Sequence, residues 1–183
     1  MKQHEREFFV ASIRSGIVTY RNKGIVLKVH SPTIENIQDA SEIYNSHYQE
    51  AYEDGVMTEE ETFEWMEAKG LWTSEDDLNL KLLEEEIESC KERIYQSRYV
   101  PPTVENLRLV IDTGKEQLLE ARQKKGYYSP NTCEGIASLE KARHIIKTNT
   151  YLNGELYDFS LIDVDTVLSA YNSSILDEDP LLP

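Results

Sequence analysis

"GLWTSEDDLNLKLLEEEIESCKERI", residues 70–94, decides the fold. Leu80, Leu83, Ile87, Cys90 and Ile94 recur at spacings of three, four, three and four. That period of 3.5 residues is the seam of a helix packed lengthwise on a second helix. Glu84, Glu85, Glu86, Glu88 and Glu92 fall off the row and are expected on its solvated side. Thr73 with Asp76, or Ser74 with Asp77, opens the helix as a capping box, in which two side chains satisfy backbone N–H groups of the first turn. "RYVPP", residues 98–102, ends it. A residue before proline avoids helical geometry, and two prolines enforce the turn.

A matching seam follows. Thr103 is expected to cap "VENLRLVIDTGKEQLLEARQKK", in which Val104, Leu107, Ile111, Gly114, Leu118 and Ala121 repeat at three and four. Two such seams across a short proline turn predict an antiparallel coiled-coil hairpin over residues 74–125, each arm about 30 Å long at about 1.5 Å per residue. Folding it back pairs Ile94 with Val104, Cys90 with Leu107, Ile87 with Ile111, Leu83 with Gly114 and Leu80 with Leu118. Gly114 costs its helix about 1 kcal/mol relative to Ala, which close approach of the opposite arm would justify. Arg108, Lys115 and Arg122 stand ready beside the acidic arm.

Elsewhere "EREFFVASIRSG" suggests a short helix closed by Gly16, and "IVTYRNKGIVLKVH" a β-hairpin around "RNKG". Two strands alone are marginal, so the hairpin must lie on helices. In "SPTIENIQDASEIYNSHYQEAYEDG" a helix starts near Thr33, with Ile34, Ile37, Ala40, Tyr44, Tyr48 and Ala51 on one face. Thr58 and Glu61 form a capping box for the next helix, which Gly70 stops. "GYYSPN" is a loop, and Asn131 with Glu134 is expected to cap a helix bearing Ile136, Leu139, Ala142 and Ile146. "YLNGELYDF" reads either as an Asn-Gly hairpin or as an extended connection. "DVDTVLSAYNSSIL" is a last helix, and "DEDPLLP" an acidic tail. The expected fold is mainly α with a small N-terminal β-hairpin: a helical bundle with a protruding helical hairpin. The organisation is 1–73 (helix, β-hairpin and aromatic helical cluster), 74–125 (helical hairpin), 126–176 (C-terminal helices on the base) and 177–183 (tail).

The net charge is −15 over 183 residues and is uneven: +1 over residues 1–49, −13 over 50–92, +4 over 93–150 and −7 over 151–183. Such a surface repels phosphate backbones and anionic lipid, so direct nucleic-acid and membrane partners are not expected. Cys90 and Cys133 have no CxxC spacing and suit a reducing compartment. "MKQHEREFFVASIRSG" has no apolar run of signal-peptide length, so an intracellular protein is expected.

The residue chemistry predicts no enzyme. "EEEIE" spreads its carboxylates around a helix, whereas calcium loops converge them from a turn with a glycine. His4, His30, His47 and His144 make no HExxH or zinc spacing with cysteine, and Cys133 and His144, eleven residues apart on one expected helix, cannot touch. Phosphate-binding glycine loops and GxSxG elbows are missing. No catalytic residue, metal ligand or cofactor is therefore assigned. The aromatic residues are the candidates for contact. Tyr44, Tyr48, Tyr52, Phe63, Trp65 and Trp72 suit either a core where helices meet or an interface. Trp72, just before a helix cap, can staple that helix, and Tyr127 and Tyr128 lie in a loop where partner binding and packing are equally open. The interaction candidates are Trp65, Trp72, Tyr127 and Tyr128, together with the hairpin arm and tail.

"SPTIENIQDASEIYNSHYQEAYEDGVMTEEETFEWMEAKGLWTSEDD", the acidic heptad arm and "NTCEGIAS" together resemble small acidic proteins of tailed bacteriophages, chiefly contractile-tailed ones. The likeness runs over residues 5–172 and rests on helix-punctuating "GxWTxED" and "EGIAS" features. It implies a tail or baseplate assembly chaperone whose partner is a phage structural protein, acting in the host cytoplasm. Alternatives are a structural component of neck, tail or baseplate that stays in the virion, and a transcriptional or host-takeover regulator working through protein contacts. Homo-oligomers through the helical arm are also compatible. The likeness transfers no active-site residue.

Overall fold

The computed structural model describes residues 16–22 and 24–176. The N-terminal helix expected before Gly16 and the tail at 177–183 lie outside these residues. The described chain is mainly α with a small β-hairpin: α1 (Ile34–Glu53), α2 (Glu59–Ala68), α3 (Ser74–Gln96), α4 (Pro101–Lys125), α5 (Cys133–Asn149) and α6 (Val164–Leu176), with strands β1 (Ile17–Asn22), β2 (Ile25–His30), β3 (Thr150–Leu152) and β4 (Glu155–Leu156). It divides into two compact units: the described residues up to Glu50 and from Ile136 onward, and Ala51–Gly135. The expected boundaries at 73/74 and 125/126 coincide with the ends of the helical hairpin, while the division itself falls inside α1 and α5.

In the first unit β1 and β2 pair antiparallel, Val18 opposite Val29 and Tyr20 opposite Leu27, with Gly24 at φ 87° in the turn. The open choice at "YLNGELYDF" resolves as a hairpin. Asn153 and Gly154 take φ of 53° and 94°, the left-handed pair that a two-residue turn matched to strand twist requires. β3 then pairs with β2, Leu152 opposite Leu27, giving a four-stranded antiparallel sheet in the order β1-β2-β3-β4. One face of it is buried by Leu27, Val29, Ile146, Tyr157, Ile162, Val164 and Val167, so the sheet does lie on helices. Each fully buried aliphatic side chain there contributes about 1.5–3 kcal/mol. Two polar side chains inside this core are satisfied. The Thr150 hydroxyl donates to the Ile146 carbonyl at 2.6 Å, and the Tyr157 hydroxyl accepts from the N–H groups of Leu161 and Ile162 at 3.3 and 3.1 Å.

α1 begins where Thr33 accepts from the Asn36 N–H. Its expected apolar face is only partly covered. Ala40 and Ala51 are buried, but Ile34 is 77% and Ile37 44% exposed. Within the same unit Arg143 of α5 forks onto Asp165 of α6, Nε donating to Oδ1 at 2.7 Å and a terminal nitrogen to Oδ2 at 2.5 Å, and also meets Glu140.

The second unit carries the helical hairpin. α3 opens on the Thr73–Asp76 capping box, with the Asp76 carboxylate accepting from the Thr73 N–H at 2.8 Å; α2 opens on Thr58 and Glu61 in the same way. α4 corrects one expectation. Its N-cap is Val100, and Pro101 and Pro102 form the first two helical positions, where a missing N–H costs nothing; Thr103 sits inside the first turn. The cap of α5 is likewise Thr132 rather than Asn131. Its hydroxyl accepts from the Gly135 N–H at 3.0 Å, while Asn131 ends a short 3-10 turn at Ser129–Asn131. The seam is as the spacing predicts. Ile87, Cys90, Leu107 and Ile111 are buried together, with Leu83, Ile94 and Leu118 packed against them. Leu80 and Val104, the outer members, are half-buried.

Candidate functional site

The Ala51–Gly135 unit holds all four aromatic candidates. Trp65 of α2 meets Tyr128 edge to face at 5.3 Å between centroids, and Tyr128 meets Tyr127 in the same manner at 4.9 Å. Such contacts use the positive ring edge against the negative ring face. Trp65 and Tyr128 are half-buried and Tyr127 is 70% exposed, so the three rings form a ledge with its outer ring in water. Trp72 is not part of it. It is 3% exposed and anchors the start of α3, its indole N–H donating to Asp77 at 2.9 Å. Asp77 also accepts from the Lys125 ammonium at 2.6 Å, and this bond first, then the indole bond, holds its carboxyl below the ordinary range. Tyr44 and Tyr48 stack on each other in the other unit, with Lys141 5.8 Å from the Tyr44 ring.

Beside the ledge a cleft of about 500 Å³ has an apolar floor of Phe63, Met66 and Tyr128 and a charged rim of Glu59, Glu60, Arg122 and Lys125. The loop under it is tied down polar atom by polar atom. Ser129 donates to Glu59 at 2.8 Å, the Glu59 N–H donates to Glu134 at 2.8 Å, and the Cys133 N–H donates to the Met57 carbonyl at 3.1 Å. Cys133 is fully buried, its thiol donates to the Val56 carbonyl, and burial pushes the thiol upward, away from a reactive thiolate.

The two long faces of the hairpin differ. On one, Arg122 reaches Glu84 at 2.7 Å and Lys125 reaches Asp77 at 2.6 Å, both pairs spanning α4 and α3. The opposite face is a groove formed by two adjoining hollows of about 290 and 310 Å³ that share Leu83 and Gln117. Leu80, Leu83, Ile87, Gly114 and Ala121 make its floor, and Asn79, Glu86, Gln117, Glu120 and Lys124 its edges. Val110 and Leu109 stand at one end, 46% and 62% exposed. The seam residues were expected from their period. Val110 and Gln117, which extend a second stripe through Gly114 and Ala121, were not. The stripe's spacing of four, three and four in the sequence is the signal that could have shown it.

Two glutamates of α3 are ion-paired. Glu84 pairs with Arg122 and Glu88 with Lys91 at 2.6 Å. Among the described residues no group of three or more His, Cys, Asp or Glu is placed to hold a metal ion. His47 contacts Glu50 at 3.3 Å and His30 packs its ring on Tyr151, while His144 leaves a buried Nε2 without a partner among the described residues. No described helix is long and apolar enough to cross a membrane. No protein family, curated protein or solved structure matches the chain.

Proposed function

We propose that this protein is a non-enzymatic assembly factor that binds another protein through the helical hairpin and the aromatic ledge beside it. Its cellular role follows the sequence resemblance: a chaperone for one structural protein of a phage tail or baseplate, working in the host cytoplasm. The observation that carries the protein-binding reading is the density of large apolar side chains left in water on this unit. Leu78, Leu82, Leu109, Val110, Leu119 and Tyr127 are all more than two-fifths exposed. They lie on α3, α4 and the loop that follows. Exposed apolar groups gathered in one region mark interaction surfaces, whereas singly scattered ones need no explanation. The acidic character of residues 50–92 keeps such a surface soluble until its partner arrives.

The test is affinity purification of the tagged chain from phage-producing cells before lysis, with mass spectrometry of both the captured material and purified particles. A chaperone co-purifies with one tail or baseplate protein and is missing from particles. Its presence in particles at stoichiometric level assigns it instead to the neck, tail or baseplate. Capture of nucleic acid alone, or a small-molecule turnover by the pure protein, overturns both.

A further inference from the structure

We propose that the open groove between α3 and α4 seats a single amphipathic helix of the partner, with small apolar side chains on its inner stripe and Lys or Arg on its flanks. This rests on the protein-binding reading above and gives that reading a site and a ligand chemistry.

The groove has the form such a ligand needs. A helix that lays an apolar stripe into a hydrophobic groove is a recurrent mode of recognition, with anchors at every third and fourth residue. Gly114 has no side chain, so the floor there is the Ile87 side chain, which an added Cβ would approach to 3.1 Å. Small apolar side chains of the incoming helix suit a floor where the two arms already approach this closely. The floor runs from Leu80 to Ile87 and back from Gly114 to Ala121. With the flanking contacts this is a track of roughly three helical turns at about 5.4 Å per turn.

Charge selects the occupant. Glu86 and Glu120 stand on opposite edges of the groove, exposed, with no ion-pair partner among the described residues. The carboxylates at the other face, by contrast, are engaged by Arg122 and Lys125. Lys124, which lines the Trp72 end, faces the Trp72 ring at 6.0 Å. The groove is lined by three carboxylates, Asp76, Glu86 and Glu120, against one ammonium, Lys124. A second copy docked groove to groove would therefore bring together two surfaces with the same negative excess, and like charges brought together at an interface select against that pairing. A helix flanked by Lys and Arg meets opposite charge on both edges. The ligand is therefore a basic amphipathic helix and not a second copy.

The test uses the full chain and two designed 14-residue helical peptides with one Ala/Val/Leu stripe, flanked in one by Lys and Arg and in the other by Glu. Fluorescence anisotropy should show binding of the basic peptide only. Glu86→Lys combined with Glu120→Lys should weaken it at least tenfold, and so should Val110→Gln. Circular dichroism melts should show each variant folded and no less stable than wild type, since all three positions are on the surface. Glu85→Lys with Glu92→Lys, on the outer side of α3, should change affinity less than twofold. Equal binding of the acidic peptide overturns the inference. So does equal weakening by the two charge-reversal pairs, which would indicate general attraction. A wild-type dimer in sedimentation velocity that Val110→Gln dissociates overturns it as well. If a structural protein co-purifies equally with wild type and the Glu86→Lys/Glu120→Lys variant, protein binding stands and the groove assignment falls; if none co-purifies with either, the protein-binding reading itself falls.

Discussion

Two glycines have opposite reasons for being glycine. Gly135 lies in the first turn of α5, where alanine would ordinarily add about 1 kcal/mol of helix propensity. A Cβ there would sit 1.9 Å from the Ser129 carbonyl oxygen. That oxygen also accepts from the Thr132 hydroxyl at 2.8 Å and belongs to the turn held by Glu59 and Glu134. The backbone must therefore move. Gly135→Ala should lower stability by about 1–3 kcal/mol, as overpacking does, read from the urea midpoint at unchanged m-value; a stabilised variant would show that the loop does not press on this turn. At Gly114 the neighbour is the side chain of Ile87, with contacts of 3.1 and 3.4 Å, which can give by a few tenths of an ångström. Gly114→Ala should therefore stay within about 1 kcal/mol of wild type, propensity offsetting crowding. Gly114→Leu should lose about 1–3 kcal/mol by forcing the seam apart. The sequence paired this glycine with Leu83. The structure makes Ile87 its nearest neighbour and Leu83 the next, at 3.8 Å. The period of a seam gives its order, but how far one arm slides along the other depends on side-chain volume.

Between α5 and α6 the Arg143–Asp165 fork gives the fold a pH dependence of definite sign. The hydrogen bonds from Arg143 hold the Asp165 carboxyl below its ordinary value of 3.8. In the window between the folded and unfolded values the unfolded chain binds more protons, so stability rises with pH there. The contribution is complete above about pH 4 and is lost as pH falls through the folded value. Asp77, held down chiefly by Lys125, acts in the same direction. Asp165→Asn should be less stable than wild type at pH 7, the difference shrinking as pH falls from 4 towards 2.5. A gap that stays constant over that range would mean Asp165 acts by packing and not by charge. Legibility at this scale follows length and locality. α3 and α4 could be read to within a few residues because each repeats its seam over several heptads. The start signals of α4 and α5 were less sure, since Thr103 and Asn131 are good caps that lost to Val100 and Thr132 close by. β3 has three residues and β4 two, too short for an alternation to register. Pairing of β2 with β3 joins residues over 120 apart in the chain, and no local pattern encodes it.

Over the whole molecule, charge is the dominant long-range term, and it also explains which part of the candidate site escaped the sequence. Sixteen carboxylates in residues 50–92 read as one wet face, because composition cannot separate those that are paired from those that are not. The structure separates them: Glu84 and Asp77 pair across the hairpin, while Glu86 borders a groove whose other edge carries Glu120 of α4. Trp72 moved the other way, from contact candidate to buried anchor, since its indole had a carboxylate five residues on. The same distribution predicts how the protein answers to salt. The cross-hairpin pairs are partly exposed, and pairs of that kind contribute about 0–1 kcal/mol each, which added salt reduces. Against them stands repulsion within a chain of net charge −15, concentrated where the excess is −13. Screening acts on both, but there are few pairs and many like charges within a Debye length, which is about 10 Å at 0.1 M salt. Repulsion therefore loses more. Raising NaCl from about 20 to about 300 mM should raise Tm by about 2–4 °C, the shift that about 1 kcal/mol produces in a chain of this size. Replacing Glu85 and Glu92, carboxylates off the seam, with glutamine should raise Tm at low salt and reduce the response to salt. A Tm that falls with NaCl would mean the ion pairs across the hairpin outweigh the repulsion around them, and would place the stability of this unit in its charged face instead of its apolar seam.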